Sequence, residues 1–500
     1  MPVQDRVQRH AAKKPHDDAL NIDGETLSWL QLWQSSNALY QHLCRLSLAT
    51  GVVAIASAND ITFPVAWLAA TARPFTAAVI DPLTPEDNLR DILNRLKPDL
   101  LLLQRQNHRL IALAQRLEIR WLALDGWQHA QPVADDDAFC ADMQAATPFL
   151  IGFTSGTTRL PKAFIRSRRS WRCSFENGVE IFRLAHAPST LFPGPLSHGI
   201  GLYCLNETLY AGGCFYSTAR WQPQAVLMLL AQQQIERLVV VPTMIAGLAA
   251  AAAQSDYPGL RSLLSAGAKL ELNHWRLARA LFPQAVMQEY YGASELGFVA
   301  VSTLDDDNIS TSLASVGQAF PATEITIRND EGELLPAGQP GTIWLASEQI
   351  IDGYLWGDDD SAFKKRPWGA TVADIGYLDA QQRLHIIGRR GNMILSGGNN
   401  IYLSEVESVI KSLPGVTEAV VIAVDDAYLG KKMVAVIEAA DDVIHQLPQQ
   451  SCPLLAKYKL PRHYYQIKRW PLTSGGKIKR AELEQRIKDG SYTELTELSA

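Results

Sequence analysis

Cysteine is scarce in this chain: six in 500 residues, Cys44, Cys140, Cys173, Cys204, Cys214 and Cys452, with no CxxC pair among them. That density cannot form a disulfide scaffold, and reduced, buried thiols in a cytoplasmic protein are expected. A cationic excess is also missing. Forty-six Lys and Arg against fifty-two Asp and Glu leave a net charge of −6, which argues against general nucleic-acid binding through a basic face. The N-terminal segment MPVQDRVQRHAAKKPHDDAL has no apolar run behind its charges, so nothing in it suggests secretion. The longest apolar stretch, Leu238 to Ala253, is interrupted by Pro242 and falls short of the roughly 20 residues of a transmembrane helix. It reads as a buried strand followed by an Ala-rich helix. No GxSxG occurs, which removes support for a serine hydrolase.

What is present is the balance of a soluble globular protein, 47% hydrophobic and 20% charged. A length of 500 residues exceeds one ordinary core, so roughly two to four domains or subdomains are expected. Strand-like Val52 to Ala56, helix-like Thr62 to Ala72, strand-like Ala77 to Ile80, helix-like Pro85 to Leu96 and strand-like Leu100 to Leu103 alternate. That rhythm predicts βαβ units on a mainly parallel sheet. It returns at Arg237–Val241, the Ala-rich helix and Leu263–Ser265. A Gly- and Pro-dense EGELLPAGQPG followed by strand-like Thr342 to Leu345 predicts a small β-rich region closing a large domain. Beyond Gly388-Arg389-Arg390-Gly391, a helix-like YLSEVESVIKSL, strand-like AVVIAV and KKMVAVIEA, and a basic tail predict a compact α+β unit. The basic set Arg166, Arg168, Arg169 and Arg172 reads as a solvated helix face.

The segment IGFTSGTTRLPKAF sets hydroxyls and glycine after an apolar strand, a composition that can cradle phosphate with backbone N–H groups and one lysine. It is not a Walker A loop, because Pro161 precedes Lys162 and Ala163 follows. Further segments come in order: LFPGPLSHGIG with His198, LSAGAKL, QEYYGASE, VADIGYLD with Asp374, GRRGNMILSGGNNIYLSEVE with Arg389, and PLTSGGKIKR with Lys477.

Together these resemble the ordered motifs of the adenylate-forming superfamily, which includes acyl-CoA synthetases, nonribosomal-peptide adenylation domains and luciferases. The resemblance covers Ile151 to Arg480 and is closest to acyl-CoA synthetases. It implies an AMP-binding N-terminal domain over 1–388, a hinge at 389–391 with Gly391 as the hinge residue, and a mobile C-terminal lid domain over 392–500. It also implies ATP, Mg²⁺ and coenzyme A as cofactors and a small-molecule carboxylic acid as partner. Thr154, Ser155, Gly156, Thr157, Thr158 and Lys162 would hold the β- and γ-phosphates. Gly267, Ala268 and Lys269 would line the adenine and acyl pocket. Within Tyr290, Tyr291, Gly292, Ala293 and Ser294, Tyr291 would stack on adenine and Ser294 would bond the α-phosphate. Glu295 would help hold Mg²⁺, Asp374 and Arg389 would hold the ribose, and Lys477 would bridge the substrate carboxylate and the α-phosphate. His198 would gate the acyl pocket. Ser396, Gly397 and Gly398 would form the turn that lets pantetheine pass, and contact with the nucleotide end of coenzyme A is the alternative to a solvated face for Arg166, Arg168, Arg169 and Arg172.

Amino-acid-activating relatives commonly carry Asp where this chain has Gly199. A buried ammonium without a counter-ion is costly, so an aliphatic or plain aromatic acid fits better. Gly199, Gly201 and Gly267 remove side chains from the expected pocket wall. Arg159 and Ala163 replace glycines of the family pattern, Val372 and Ala373 stand where Thr and Gly are usual, and Gly391 stands where Asp or Lys is usual. Two rivals remain: a stand-alone ligase loading a carrier protein for a natural product, and a non-catalytic nucleotide-binding relative. Retention of Lys162, Glu295, Asp374, Arg389 and Lys477 speaks against the second.

Overall fold

The computed structural model describes residues 3–134, 137–142, 145–154, 161–252, 256–357, 363–389, 393–396, 399–426, 430–440, 443, 446–447, 451, 454–473, 475–490 and 495–498. Two large sheets dominate the N-terminal part. In the first, the parallel strands Thr76–Val79, Val52–Ala56, Leu100–Leu103 and Trp121–Ala123 lie side by side, and Pro148–Thr154 joins Thr76–Val79. Their near-continuous Val, Ile, Leu and Ala content follows from burial on both faces. Alternate residues serve two cores: Val53, Ile55, Leu100 and Leu102 point into one, and Ala54, Ala56, Leu101 and Leu103 into the other.

The two faces select different helices. Helix Glu86–Leu96 buries Leu89, Ile92, Leu93 and Leu96, an apolar stripe at helical spacing over the outer core. Helix Thr62–Ala70 is buried at every position, because it runs through the inner core. The inner core is shared with a second, nine-stranded sheet whose central strands include Arg237–Val240, Ser262–Ala266 and Val286–Ala293. Val239 and Leu264 of that sheet join the inner core, while Leu238, Val240, Leu263 and Met287 face a third cluster under helices Pro242–Ala251 and Leu272–Leu281. The apolar run from Leu238 is thus a buried strand and then a helix, as the sequence predicts.

A six-stranded, antiparallel sheet that contains Gly341–Ala346, Asp374–Leu378 and Leu384–Arg389 forms the expected β-rich region. The C-terminal part has the two-stranded Met393–Ser396 and Asn399–Tyr402 pair, a four-stranded sheet, and helices Leu403–Lys411 and Arg480–Lys488. The architecture is α/β, a large N-terminal domain and a small C-terminal α+β domain. Among the described residues no helix is long and apolar enough to cross a membrane.

Two sequence expectations need correction. The arginines from Arg166 to Arg172 do not form a solvated helix face. Arg166 lies on strand Lys162–Ser167 and precedes helix Arg168–Ile181, and Arg166, Arg168 and Arg172 are all buried, leaving Arg169 exposed. Backbone carbonyls and carboxylates replace water: Arg168 donates to the carbonyls of Pro148 at 2.6 Å and Thr71 at 3.0 Å, and Arg172 pairs with Asp5 at 2.8 Å. The thiols, too, are not uniformly buried. Cys204 is, but Cys44 is exposed; none of the five described cysteines is in a disulfide, and Cys452 lies outside the described residues.

Candidate active site

The site grows from strand ends. Thr154 closes strand Pro148–Thr154 and pairs with Lys162 on the antiparallel return strand, so the two described ends of the phosphate-loop candidate face each other in register. Ser155, Gly156, Thr157 and Thr158 lie outside the described residues, as do Gly391, Gly397 and Gly398, and the side chain of Ser396 is likewise undescribed. Gly267 follows strand Ser262–Ala266, and Tyr290 to Ala293 end strand Val286–Ala293. Ligand sites in open α/β sheets gather outside such carboxyl ends.

Lys162 and Glu295 are linked through a residue the sequence did not single out. The Lys162 ammonium sits 5.7 Å from the centre of the Tyr354 ring, and the Tyr354 hydroxyl donates to Glu295 Oε1 at 2.5 Å. Tyr354 occupies strand Gly353–Trp356, which pairs antiparallel with the strand bearing Lys162. Ala163, where the family has glycine, is fully buried on that strand beside Phe153 and Trp356 in register. Among the described residues no cluster of three His, Cys, Asp or Glu groups could hold a metal. A single Glu295 fits Mg²⁺, which takes one or two carboxylates with nucleotide phosphate oxygens rather than an all-protein cage.

Tyr290 and Tyr291 alternate across their strand. Tyr291 donates its hydroxyl to Asp374, and Arg389 Nε donates to the other Asp374 oxygen at 2.7 Å, so these three expected nucleotide contacts are brought together. Tyr290 goes the other way, into an aromatic cluster with Phe298 at 4.9 Å and Phe182 at 6.1 Å. The register shift between Tyr291 and Gly292 belongs to the hairpin that ends at Ser294 and Glu295. A Cβ on Gly292 would stand 2.5 Å from the Gly297 carbonyl, so that approach requires glycine. Buried Arg166 holds the turn from below, donating to the Ser294 carbonyl at 2.6 Å and the Gln349 carbonyl at 2.5 Å. Burial lowers its pKa to about 10, still a permanent cation at neutral pH. Sequence offered no signal for Arg166 or Tyr354, since their roles depend on partners more than a hundred or fifty residues away.

His198 caps helix Gly199–Ala211, and its Nε2 lies 3.1 Å from Asp81 Oδ2. Asn59 fixes the preceding loop, donating to the Gly194 carbonyl at 2.7 Å and accepting from the Leu196 N–H at 2.7 Å. The expected openness at three glycines divides. A Cβ on Gly199 would meet Ser294 Oγ at 3.7 Å, which leaves room. Gly201 instead serves packing: a Cβ there would strike the Phe192 ring and stand 2.6 Å from the Pro195 carbonyl. Gly267 has φ +84°, with Ile200 Cδ1 3.0 Å and Lys477 Cε 3.4 Å from the Cβ position it lacks. Ala268 beside it is exposed. Lys269 turns its ammonium to buried Glu289 and thereby neutralises that carboxylate.

Lys477 arrives from the C-terminal part on a short turn. Thr473 N–H donates to the Lys477 carbonyl at 2.7 Å, Gly476 adopts φ +76°, and Thr243 donates its hydroxyl to the Gly476 carbonyl at 2.8 Å. A Cβ on Gly475 would lie 3.0 Å from His198 Nδ1. Crowding around the ammonium lowers the Lys477 pKa, the charge of Arg389 lowers it further, and Glu295 opposes both. The residue as a whole is exposed, so the cation is crowded by its neighbours yet open to solvent.

Sequence comparison agrees with this geometry. The family profile described as AMP-binding enzyme matches residues 7–355, and that of the AMP-binding enzyme C-terminal domain matches residues 405–477. VraA of Staphylococcus epidermidis, named as a long-chain fatty acid–CoA ligase, is 30% identical over 77% of this chain and 82% of its own length. YhfT of Bacillus subtilis, named as an acyl-CoA ligase, is 34% identical over 68% of this chain and 69% of its own. In fold, the chain resembles o-succinylbenzoate-CoA synthetase of Bacillus subtilis in complex with its acyl-adenylate intermediate. The TM-score is 0.82 at 23% identity, over 96% of this chain and 97% of that one. This chain belongs to the AMP-binding enzyme family and is an enzyme of its AMP-forming acyl-CoA ligase type.

Proposed function

We propose that the protein uses ATP to activate a small carboxylic acid as its acyl-adenylate and then passes the acyl group to the thiol of coenzyme A. In the first step a carboxylate oxygen attacks the α-phosphorus and the bond to pyrophosphate breaks. In the second the thiol sulfur attacks the acyl carbon and AMP leaves.

The observation that carries this reading is the Lys477 side chain beside Gly267, within the electrostatic reach of Arg389 and Glu295. Two anions must approach in line, and a cation between them stabilises the charge that develops. Lys162, Thr154 and the loop Ser155–Thr158 would hold the departing phosphates, with Ser294 at the α-phosphate. Tyr291, Asp374 and Arg389 would take the nucleoside. Mg²⁺ held by Glu295 would neutralise phosphate charge when bound. His198 would gate the acyl side, because it touches the same turn that delivers Lys477.

A cation that serves only one step has to be withdrawn for the other, and a glycine at 391, with no side chain to restrict it, would permit such a rotation. Ser396, Gly397 and Gly398 would then line the path of pantetheine. The acid carries no α-ammonium, since no carboxylate stands at Gly199 to pair with one. Carboxylate-dependent exchange of labelled pyrophosphate into ATP is the test; no exchange across a broad acid panel would refute the reading. Parallel thioester assays with coenzyme A and with a phosphopantetheinylated carrier protein identify the acceptor, and coenzyme A is expected to react.

A further inference from the structure

On helix Gly199–Ala211, positions 199, 203 and 207 fall four residues apart and share one face. At 1.5 Å per residue the last lies about 12 Å from the first. Gly199 leaves the near end of that face without a side chain, next to Ser294 Oγ. Tyr203 lies in the middle, its ring 4.9 Å from Phe298 and its hydroxyl fixed to Ser174 at 2.5 Å. Glu207 closes the far end. Its Oε2 stands 2.8 Å from Arg237 Nη2, and the two side chains are 2% and 1% exposed.

Arg237 opens its strand on the face that also carries Val239, so helix and sheet meet at this pair. Aromatic rings surround the pair. Tyr290 packs on Phe298 at 4.9 Å, and the Arg237 guanidinium lies 5.3 Å from the centre of the Phe182 ring.

Charge is balanced here, but hydrogen bonding is not. Arg237 Nε and Nη1 and Glu207 Oε1 have no hydrogen-bond partner among the described residues. Gly178 lets its helix approach this pair closely, because a Cβ there would stand 2.9 Å from Glu207 Oε1. Idle buried donors beside an idle buried acceptor are costly unless something completes them. A hydroxyl does so, since it accepts from the guanidinium and donates to the carboxylate. A distal carboxylate would be repelled by Glu207, a distal ammonium by Arg237, and an alkyl end would leave both unmet.

Resting on the adenylation reading above, we infer that Arg237 and Glu207 form the floor of the acyl pocket and select an aromatic acid bearing a hydroxyl remote from its carboxylate. The pair is a specificity device at the end of the inferred pocket opposite Lys477, and the distance of about 12 Å along the helix from Gly199 suits a ring rather than a long alkyl chain.

Pyrophosphate exchange with acids matched except for the hydroxyl tests this: 4-hydroxycinnamic against cinnamic, 4-hydroxybenzoic against benzoic, with palmitic acid alongside. The hydroxylated member of at least one pair should be favoured about 10-fold or more in kcat/KM, as expected where a site is built to bond a hydroxyl. In the double variant Glu207→Leu, Arg237→Leu, that ratio should fall to about twofold, chiefly through KM, with folding checked by thermal melting. Should the variant not fold, the wild-type ratio decides. Equal or better use of the deoxy acids or of palmitic acid would overturn the floor assignment while leaving adenylation intact. Exchange with no acid at all would overturn both.

Discussion

The hydroxyl of Tyr354 donates to Glu295 Oε1 at 2.5 Å while the Tyr354 ring lies beneath the Lys162 ammonium. One residue of a strand far along the chain therefore positions both the carboxylate expected to hold the metal and the lysine expected to hold the phosphates. Tyr354→Phe keeps the ring and removes the bond. The KM for MgATP should rise several-fold to about 10-fold, matching the loss of one charge-assisted hydrogen bond, with an unchanged melting temperature. An unaltered KM in the exchange assay would show that Glu295 is held by other means.

Lys477→Ala separates the two half-reactions. Adenylation should fall by about two to three orders of magnitude, the scale of removing one preorganised electrostatic contact. Thioester formation from supplied acyl-adenylate and coenzyme A should survive. Equal loss of both in single-turnover measurements would refute a cation that acts in only one step.

Gly199 and Gly201, two residues apart, should respond differently to alanine. Gly201→Ala forces a methyl group against the Phe192 ring and the Pro195 carbonyl and should destabilise the fold by about 1–3 kcal/mol, seen in denaturant unfolding. Gly199→Ala meets nothing closer than 3.7 Å and should leave stability within about 0.5 kcal/mol. Its effect should appear instead in the choice among acids.

His274 predicts an acid-sensitive fold. It is buried at the start of helix Leu272–Leu281, its Nδ1 accepts from the Glu271 N–H at 3.3 Å, and burial lowers its pKa to about 4. Around it stand Glu271 from its own helix end and Lys411 and Glu418 from the C-terminal part; Glu418 raises the pKa and Lys411 lowers it. Above its ordinary value near 6.5 both folded and unfolded chains carry a neutral imidazole, and the full stability is present. As pH falls from 6.5 towards 4, only the unfolded chain takes up the proton, so stability is lost, up to on the order of 3 kcal/mol. Melting temperature followed from pH 7.5 to 4.5 should decline more steeply for the wild type than for His274→Asn. Parallel curves would remove His274 as the cause.

Much of this protein is written locally. Val52–Ala56 and Leu100–Leu103 are apolar because a parallel strand is covered on both faces, so their boundaries are readable from composition. The order of the motifs led to the family, and the residues they contain converge: Tyr291, Asp374 and Arg389 on one another, and Lys477 on Gly267.

What only the tertiary structure decided concerns partners distant in sequence. Arg166, Arg168 and Arg172 look like solvent-facing cations until carbonyls and carboxylates brought in from elsewhere satisfy them. Gly201 looks like an opening until Phe192 and the Pro195 carbonyl are seen filling it. Tyr354, Glu207 and Arg237 give no local sign at all. Periodicity and motif spacing record which backbone a segment adopts. The worth of a buried charge or a missing side chain depends on which groups the fold brings within a few ångströms, and that is settled only when helix and sheet pack together.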